Sequence, residues 1–219
     1  MSHDSSTPSV SENSSGKPKG ASAAAEAISF LKTLAVFLAA AFILRASVVE
    51  AFKIPSLSMY PTLKVGDHIL VGKLSYGLRL PFVTDSVALF STPERGDIVV
   101  FTRPDEVRTA EDESSINIIK RVVGLPGDTV EVRGTKVFIN GKELEEPYAR
   151  YQEHGITEGY FGPDVVPPGH IFLMGDNRDH SKDSRFWENP FLDIHRVKGR
   201  AMIIYWSWDS LRRIGTVLR

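Results

Sequence analysis

The 219-residue chain contains no cysteine. A disulfide framework, a thiol nucleophile and a thiolate metal site are therefore excluded. Its six histidines (3, 68, 154, 170, 180 and 195) show no His-x-x-x-His or His-Glu-x-x-His spacing, so no metal or other cofactor is expected. An excess of one charge is also missing. The 26 Lys and Arg stand against 27 Asp and Glu, which gives no reason to expect a nucleic-acid partner. The chain has no internal repeat and, beyond residue 50, no long amphipathic helical pattern, with 209–214 as a short candidate.

What is present divides the chain. Residues 1–26 are rich in Ser, Pro, Gly and Ala and carry almost no large apolar side chains, so they cannot bury enough surface to offset ordering. A disordered tail is expected there. Residues 28–49 lack Pro and Gly and are rich in helix formers. At about 1.5 Å per residue they would span roughly 33 Å, one hydrocarbon thickness. Lys32 and Arg45 leave 12 uncharged residues between them, which also fits a core or amphipathic helix, but both lie near the ends and can snorkel. The expectation is one transmembrane helix over 27–49. Charge alone does not fix its orientation.

From about residue 52 short Val, Ile and Phe runs alternate with Gly and Pro: 69–71, 98–101, 116–123, 171–174 and 201–205 read as strands. Residues 129–133 and 136–140 flank Gly134-Thr135 as a hairpin, and Asn140-Gly141 begins a second turn. Residues 103–115 read as a polar, mostly acidic loop.

Three constellations carry chemistry. Lys120 closes an apolar run and precedes a Gly/Pro turn. If it is buried, desolvation favours the neutral amine, a usable base; the alternative is a surface lysine at a strand end. Ser58 lies between Pro55 and Pro61, which hold a segment rigid; the alternative is a turn whose hydroxyls bond their own backbone. A serine needs a base, and no histidine has a catalytic setting, so a Ser–Lys hydrolase is the reading if the two meet. Residues 175–185, Gly-Asp-Asn-Arg-Asp-His-Ser-Lys-Asp-Ser-Arg, can form a hydrogen-bonded network that orients a side chain. A plain polar loop is the alternative, and Arg178, Lys182 and Arg185 argue against calcium.

Together, Ile54-Pro-Ser-Leu-Ser-Met-Tyr-Pro-Thr-Leu63, Gly66-Asp-His-Ile-Leu-Val71, Arg95-Gly-Asp-Ile-Val-Val-Phe101, Lys120-Arg-Val-Val-Gly-Leu-Pro-Gly-Asp128 and the 175–185 loop resemble, in order, the boxes of bacterial type I signal peptidases. The resemblance implies a membrane-bound serine endopeptidase that removes signal peptides from exported preproteins after Ala-x-Ala. It implies Ser58 as nucleophile and Lys120 as general base. It gives Ser181 as the hydroxyl that hydrogen-bonds and orients Lys120, and the Ser56 hydroxyl with the Ser58 N–H as oxyanion hole. Asp183 and Arg185 become a supporting ion pair. Ile54, Pro55, Met59, Leu63 and Ile119 become the walls of shallow substrate pockets beside an extended substrate.

The fold it implies is mainly β: a coiled, barrel-like catalytic domain (50–128 and 171–219) with a small β insertion (129–170), after one transmembrane helix. It further implies a bacterial plasma-membrane location with the N-terminus cytoplasmic and the catalytic domain outside. The implied partners are preprotein signal peptides, membrane lipid and, by proximity, the secretion translocase. Three departures stand out: Leu57 where many relatives have Gly, a short insertion over about 129–170 that implies a reduced second domain, and one span where many have two. Tyr205, Trp206 and Trp208 read as ordinary core or as a headgroup-level cluster. The rival readings are a self-cleaving repressor-type Ser–Lys protease and an inactive membrane-tethered binding module of the same fold.

Overall fold

The computed structural model describes residues 23–78, 88–89, 91–102, 117–151 and 160–218. The first 22 residues and the polar 103–115 segment lie outside this set. Helix α1 (Ala23–Ser47) contains an 18-residue stretch, Ala25–Phe42, long and apolar enough to cross a membrane. It has apolar residues all round rather than on one stripe, and its side chains over 25–42 are exposed, as suits a helix whose solvent is lipid. The helix stops before residue 49. Val49 already opens a strand, because β-branched Val49 and the residues through Lys53 pair with 68–72.

Residues 43–219 make up a second compact unit. Its strands are β1 (Val49–Lys53), β2 (Asp67–Gly72), β3 (Gly77–Leu78), β4 (Ala88–Leu89), β5 (Ile98–Thr102), β6 (Asn117–Gly124), β7 (Thr129–Arg133), β8 (Lys136–Ile139), β9 (Lys142–Glu143), β10 (Phe161–Val165), β11 (His170–Met174), β12 (Phe191–Asp193) and β13 (Val197–Ser207). Seven of them form one antiparallel sheet in the order β1-β2-β13-β5-β6-β11-β12, curled into a half-barrel. Strand β13 shifts register twice against β2 and once against β5, and such bulges bend a sheet. At Gly199 the backbones approach so closely that a Cβ would lie 2.3 Å from the Gly72 carbonyl oxygen. The expected strands are all present. The 209–214 candidate helix is a single 3₁₀ turn, Leu211–Arg213.

Strand β5 explains the curl's core. Ile98 and Val100 face one hydrophobic cluster, with Met59, Leu63, Ile69 and Ile204. Val99 and Phe101 face another, with Val122, Leu173 and Trp187. A strand covered on both faces reads as a continuous apolar run rather than an alternating one. The second sheet, order β10-β7-β8-β9, turns from β8 to β9 through Asn140-Gly141, both at positive φ. That is what a type I′ two-residue turn demands. Its Val130, Val132, Val137 and Ile139 share a third cluster with Val123 of β6 and Phe172 and Met174 of β11. The aromatic trio is not core: Tyr205, Trp206 and Trp208 are all exposed. The register shift between Ile204 and Trp206 breaks the alternation of β13, so two consecutive residues face outward, and Trp208 follows the strand's last residue, Ser207.

Candidate active site

Ser58 sits on the loop between β1 and β2. The loop closes on itself through Ile54 N–H to Asp67 O (2.8 Å), Gly66 N–H to Ile54 O (3.1 Å) and Leu63 N–H to Met59 O (2.8 Å). Met59 and Leu63 anchor it in the core, both fully buried. Asp67, also fully buried, accepts from the Lys64 N–H (2.8 Å), Ser207 Oγ (2.6 Å) and Arg213 Nη2 (2.6 Å). Burial pushes the Asp67 carboxyl up, but these hydrogen bonds outweigh it and hold the group below the usual carboxylate range.

Lys120 lies mid-strand on β6, paired with Val99 of β5. It is 3 % exposed, and its Nζ is 2.8 Å from Ser58 Oγ. Two residues 62 positions apart are thus in direct contact inside the protein. Ser56 Oγ lies 3.4 Å from Ser58 Oγ. No hydrogen bond among the described residues uses the Ser58 N–H, which leaves that donor for an incoming oxygen.

The 175–185 loop packs against both. Asp183, fully buried, accepts from the Gly175 N–H (2.9 Å) and from Arg185 through Nε (2.8 Å) and Nη2 (2.9 Å). The hydroxyl expected to hydrogen-bond Lys120 does not do so here: Ser181 Oγ is buried and has no hydrogen-bond partner among the described residues. It is instead packed over Gly175, where an added Cβ would come within 2.3 Å of Ser181 Oγ and 2.5 Å of the Ser58 carbonyl oxygen. The expected pocket residues also differ from a surface lining. Ile54, Met59, Leu63 and Ile119 belong to the core beneath the loop, with Met59 and Leu63 inaccessible, and only Pro55 is exposed. Leu57 points outward, about half exposed.

Sequence reasoning missed the clasp that registers these parts. Arg121, next to Lys120, meets Asp176 in a buried bidentate pair (Nε–Oδ1 2.8 Å, Nη2–Oδ2 2.7 Å), and Thr62 Oγ1 of the serine loop donates to the same carboxylate at 2.5 Å. Asn177 donates from its N–H to the Ser58 carbonyl and from Nδ2 to the Leu57 carbonyl, each at 3.1 Å. Arg178 pairs with Glu146 (2.8 and 2.5 Å). Burial disfavours its charged form, but Glu146 more than compensates and holds the guanidinium above its ordinary range. The signal available in the sequence was only that charged and amide residues crowd one loop.

Among the described residues no group of three or more His, Asp and Glu could hold a metal ion. A buried amine against a serine hydroxyl, with an uncommitted N–H and a second hydroxyl nearby, has the parts for nucleophilic acyl transfer.

Comparison with known proteins agrees with that chemistry. The family model described as "Signal peptidase, peptidase S26" matches residues 27–206. A signal peptidase I from Pseudomonas aeruginosa is 40% identical over 201 residues, covering 77% of this chain and 68% of the relative. One from Leptolyngbya laminosa is 36% identical over 214 residues, covering 97% and 95%. One from Bacillus licheniformis is 32% identical over 190 residues, covering 84% and 91%. The chain belongs to the signal peptidase family, peptidase S26.

Proposed function

We propose that this chain is a membrane-bound serine endopeptidase that cleaves signal peptides from exported preproteins after Ala-x-Ala, with Ser58 and Lys120 as its catalytic dyad. The observation that carries the reading is the 2.8 Å contact between Lys120 Nζ and Ser58 Oγ at a site where both residues are buried. Burial disfavours the ammonium form, so Lys120 acts as a neutral base.

Ser58 Oγ bonds to the scissile carbonyl carbon as its proton passes to Lys120 Nζ. The carbonyl electron pair moves onto oxygen, where the Ser58 N–H and Ser56 hydroxyl receive it, an interaction of a few kcal/mol in the transition state. Collapse breaks the C–N bond, and Lys120 returns the proton to the leaving amine. Water then attacks the ester with Lys120 again as base, releasing the signal-peptide carboxylate and regenerating Ser58. Ser181 serves the charged intermediate rather than the resting enzyme, since its unpartnered hydroxyl is available to accept from the ammonium once Lys120 is protonated. Asp183 and Arg185 hold the Gly175 turn on which Ser181 packs. Pro55 and the edge of Ile119 touch the substrate, while Ile54, Met59 and Leu63 set the floor from beneath and so limit the groove to small side chains.

Helix α1 anchors the chain in the bacterial plasma membrane, N-terminus cytoplasmic and catalytic domain outside, where exported cleavage sites emerge beside the translocase. Exposed Trp206 and Trp208, 5.4 Å apart by ring centroid, suit the headgroup level. Unchanged vesicle binding and cleavage in Trp206→Ala with Trp208→Ala would remove that role. The dyad is tested by mixing the detergent-solubilised full chain with a preprotein bearing an Ala-x-Ala site. Cleavage after the second Ala is expected, and its absence in the wild type refutes the reading.

A further inference from the structure

We propose that Asn177 is a positioning residue for the oxyanion hole, acting through the Leu57–Ser58 peptide; the inference rests on the Ser–Lys reading above. A peptide unit is planar and trans, so the direction of the Leu57 carbonyl fixes the direction of the Ser58 N–H on its other side. Asn177 Nδ2 donates to that carbonyl at 3.1 Å, and the Asn177 N–H donates to the Ser58 carbonyl at 3.1 Å. One residue therefore pins the peptides on both sides of the nucleophile's Cα. A carbonyl that accepts a hydrogen bond also polarises its own N–H into a better donor.

Among the described residues, nothing else bonds that peptide from outside the loop. The Leu57 side chain is half exposed, and the other bond to its carbonyl is the local turn bond from the Tyr60 N–H (3.0 Å). Asn177, by contrast, is 1 % exposed and stiffly mounted. Its own carbonyl accepts from the His180 N–H (3.1 Å), and its neighbour Asp176 is gripped by Arg121 and, through its carbonyl, by the Arg150 N–H (2.7 Å). The amide's orientation is also chemically determined: the opposite flip would set Oδ1 against the Leu57 oxygen, two acceptors face to face. Oδ1 itself has no partner among the described residues, so Asn177 is held there for its donor.

The role predicts a specific kinetic pattern. Removing an oxyanion donor outright costs about 10²–10³ in kcat, and loosening one costs less. Asn177→Ala, which keeps the backbone bond and the Tyr60 turn bond, should lower kcat about 10- to 100-fold with KM within about twofold. Asn177→Asp keeps size and backbone but turns the donor into an acceptor, so it should be at least as impaired. The full-length variants are assayed on an Ala-x-Ala peptide, with active-site titration to count folded enzyme. Inhibition is measured for a peptide aldehyde, whose serine adduct carries the oxyanion, and for the cleaved product peptide, which does not. The aldehyde should weaken in step with kcat, the product peptide by less than about twofold. Equal weakening of both inhibitors, or a kcat loss accounted for by the active fraction, in either variant, overturns the inference. A wild type that fails to cleave overturns the dyad reading and this inference with it.

Discussion

The two sheets treat charge in opposite ways. Where the 175–185 loop packs against the dyad the ion pairs are dry: Arg121–Asp176, Arg178–Glu146 and Arg185–Asp183 all have side chains at most 7 % exposed. On the second sheet they are wet: Lys136–Glu143 is 57 % and 51 % exposed, and Arg133 of the Arg133–Glu131 pair is 58 % exposed. Buried pairs add little net stability over apolar packing, but breaking one strands an uncompensated charge. Exposed pairs are worth about 0–1 kcal/mol and break without consequence. Charge is therefore used on the active-site side to fix geometry, and on the second sheet chiefly to keep a surface wet.

The contrast is open to attack at four points. The largest effect belongs to Gly175→Ala. The added methyl meets Ser181 Oγ and Cβ and the Ser58 carbonyl at 2.3–2.5 Å, with backbone on one side. Cleavage should fall by at least about 100-fold while the fold survives, since a misplacement of about 1 Å costs that much. Wild-type turnover by a cooperatively folded Gly175→Ala protein would show that the site is softer than the contacts suggest.

Asp183→Ala comes next. It leaves Arg185 buried without its partner and frees the Gly175 N–H, so denaturant unfolding should report a loss of about 3–5 kcal/mol. A loss below about 1 kcal/mol would place this pair with the exposed ones.

Acid tests the networks that close the serine loop and the β6–β7 turn. Asp67 and Asp128 both sit below the usual carboxylate range. For Asp128, burial raises the value but hydrogen bonds from the Leu125 N–H (2.7 Å), Asn140 (2.9 Å) and Arg95 (2.8 Å) outweigh it. A depressed folded value contributes stability above the unfolded value of about 3.9 and loses it as pH falls through the folded value. Unfolding followed by circular dichroism should therefore show stability falling off below about pH 4. Arg213→Gln, which removes a partner of Asp67, should move that loss to higher pH. An unmoved acid midpoint would mean that Asp67 draws little from Arg213.

The smallest effect is expected on the second sheet. Lys136→Ala should change stability by no more than about 0.5 kcal/mol and leave cleavage untouched.

The same contrast explains what could be read from the sequence. The strands were legible because Val and Ile runs at 98–101 and 171–174 have no other stable home, and the β8–β9 turn because Asn140-Gly141 has few alternatives. Strand β1 was not, since Val49-Glu-Ala-Phe-Lys follows the helix with no turn residue and is paired only by β2. The onset of β13 at Val197 was hidden by Lys198, Gly199 and Arg200. The residue types suggested pairing Ser58 with Lys120, but that the two meet rested on the family resemblance, because nothing local links residues 62 apart. The clasp was less visible still: Arg121 and Asp176 are 55 apart and Asn177 and Leu57 120 apart, and each alone reads as an ordinary polar residue. Depth was not legible either: the resemblance gives Met59 and Leu63 as pocket walls, and the loop's closure sets both side chains in the core.

The central claim is that the buried Lys120 amine takes the Ser58 proton. The direct measurement is the pH dependence of kcat/KM on an Ala-x-Ala preprotein, run alongside Ser58→Ala and Lys120→Ala. The account predicts no cleavage by either variant and, for the wild type, an ionisation well below the free-lysine value of about 10.4. Persistent cleavage by either variant, or a wild-type profile whose only basic ionisation sits near that free-lysine value, would contradict it.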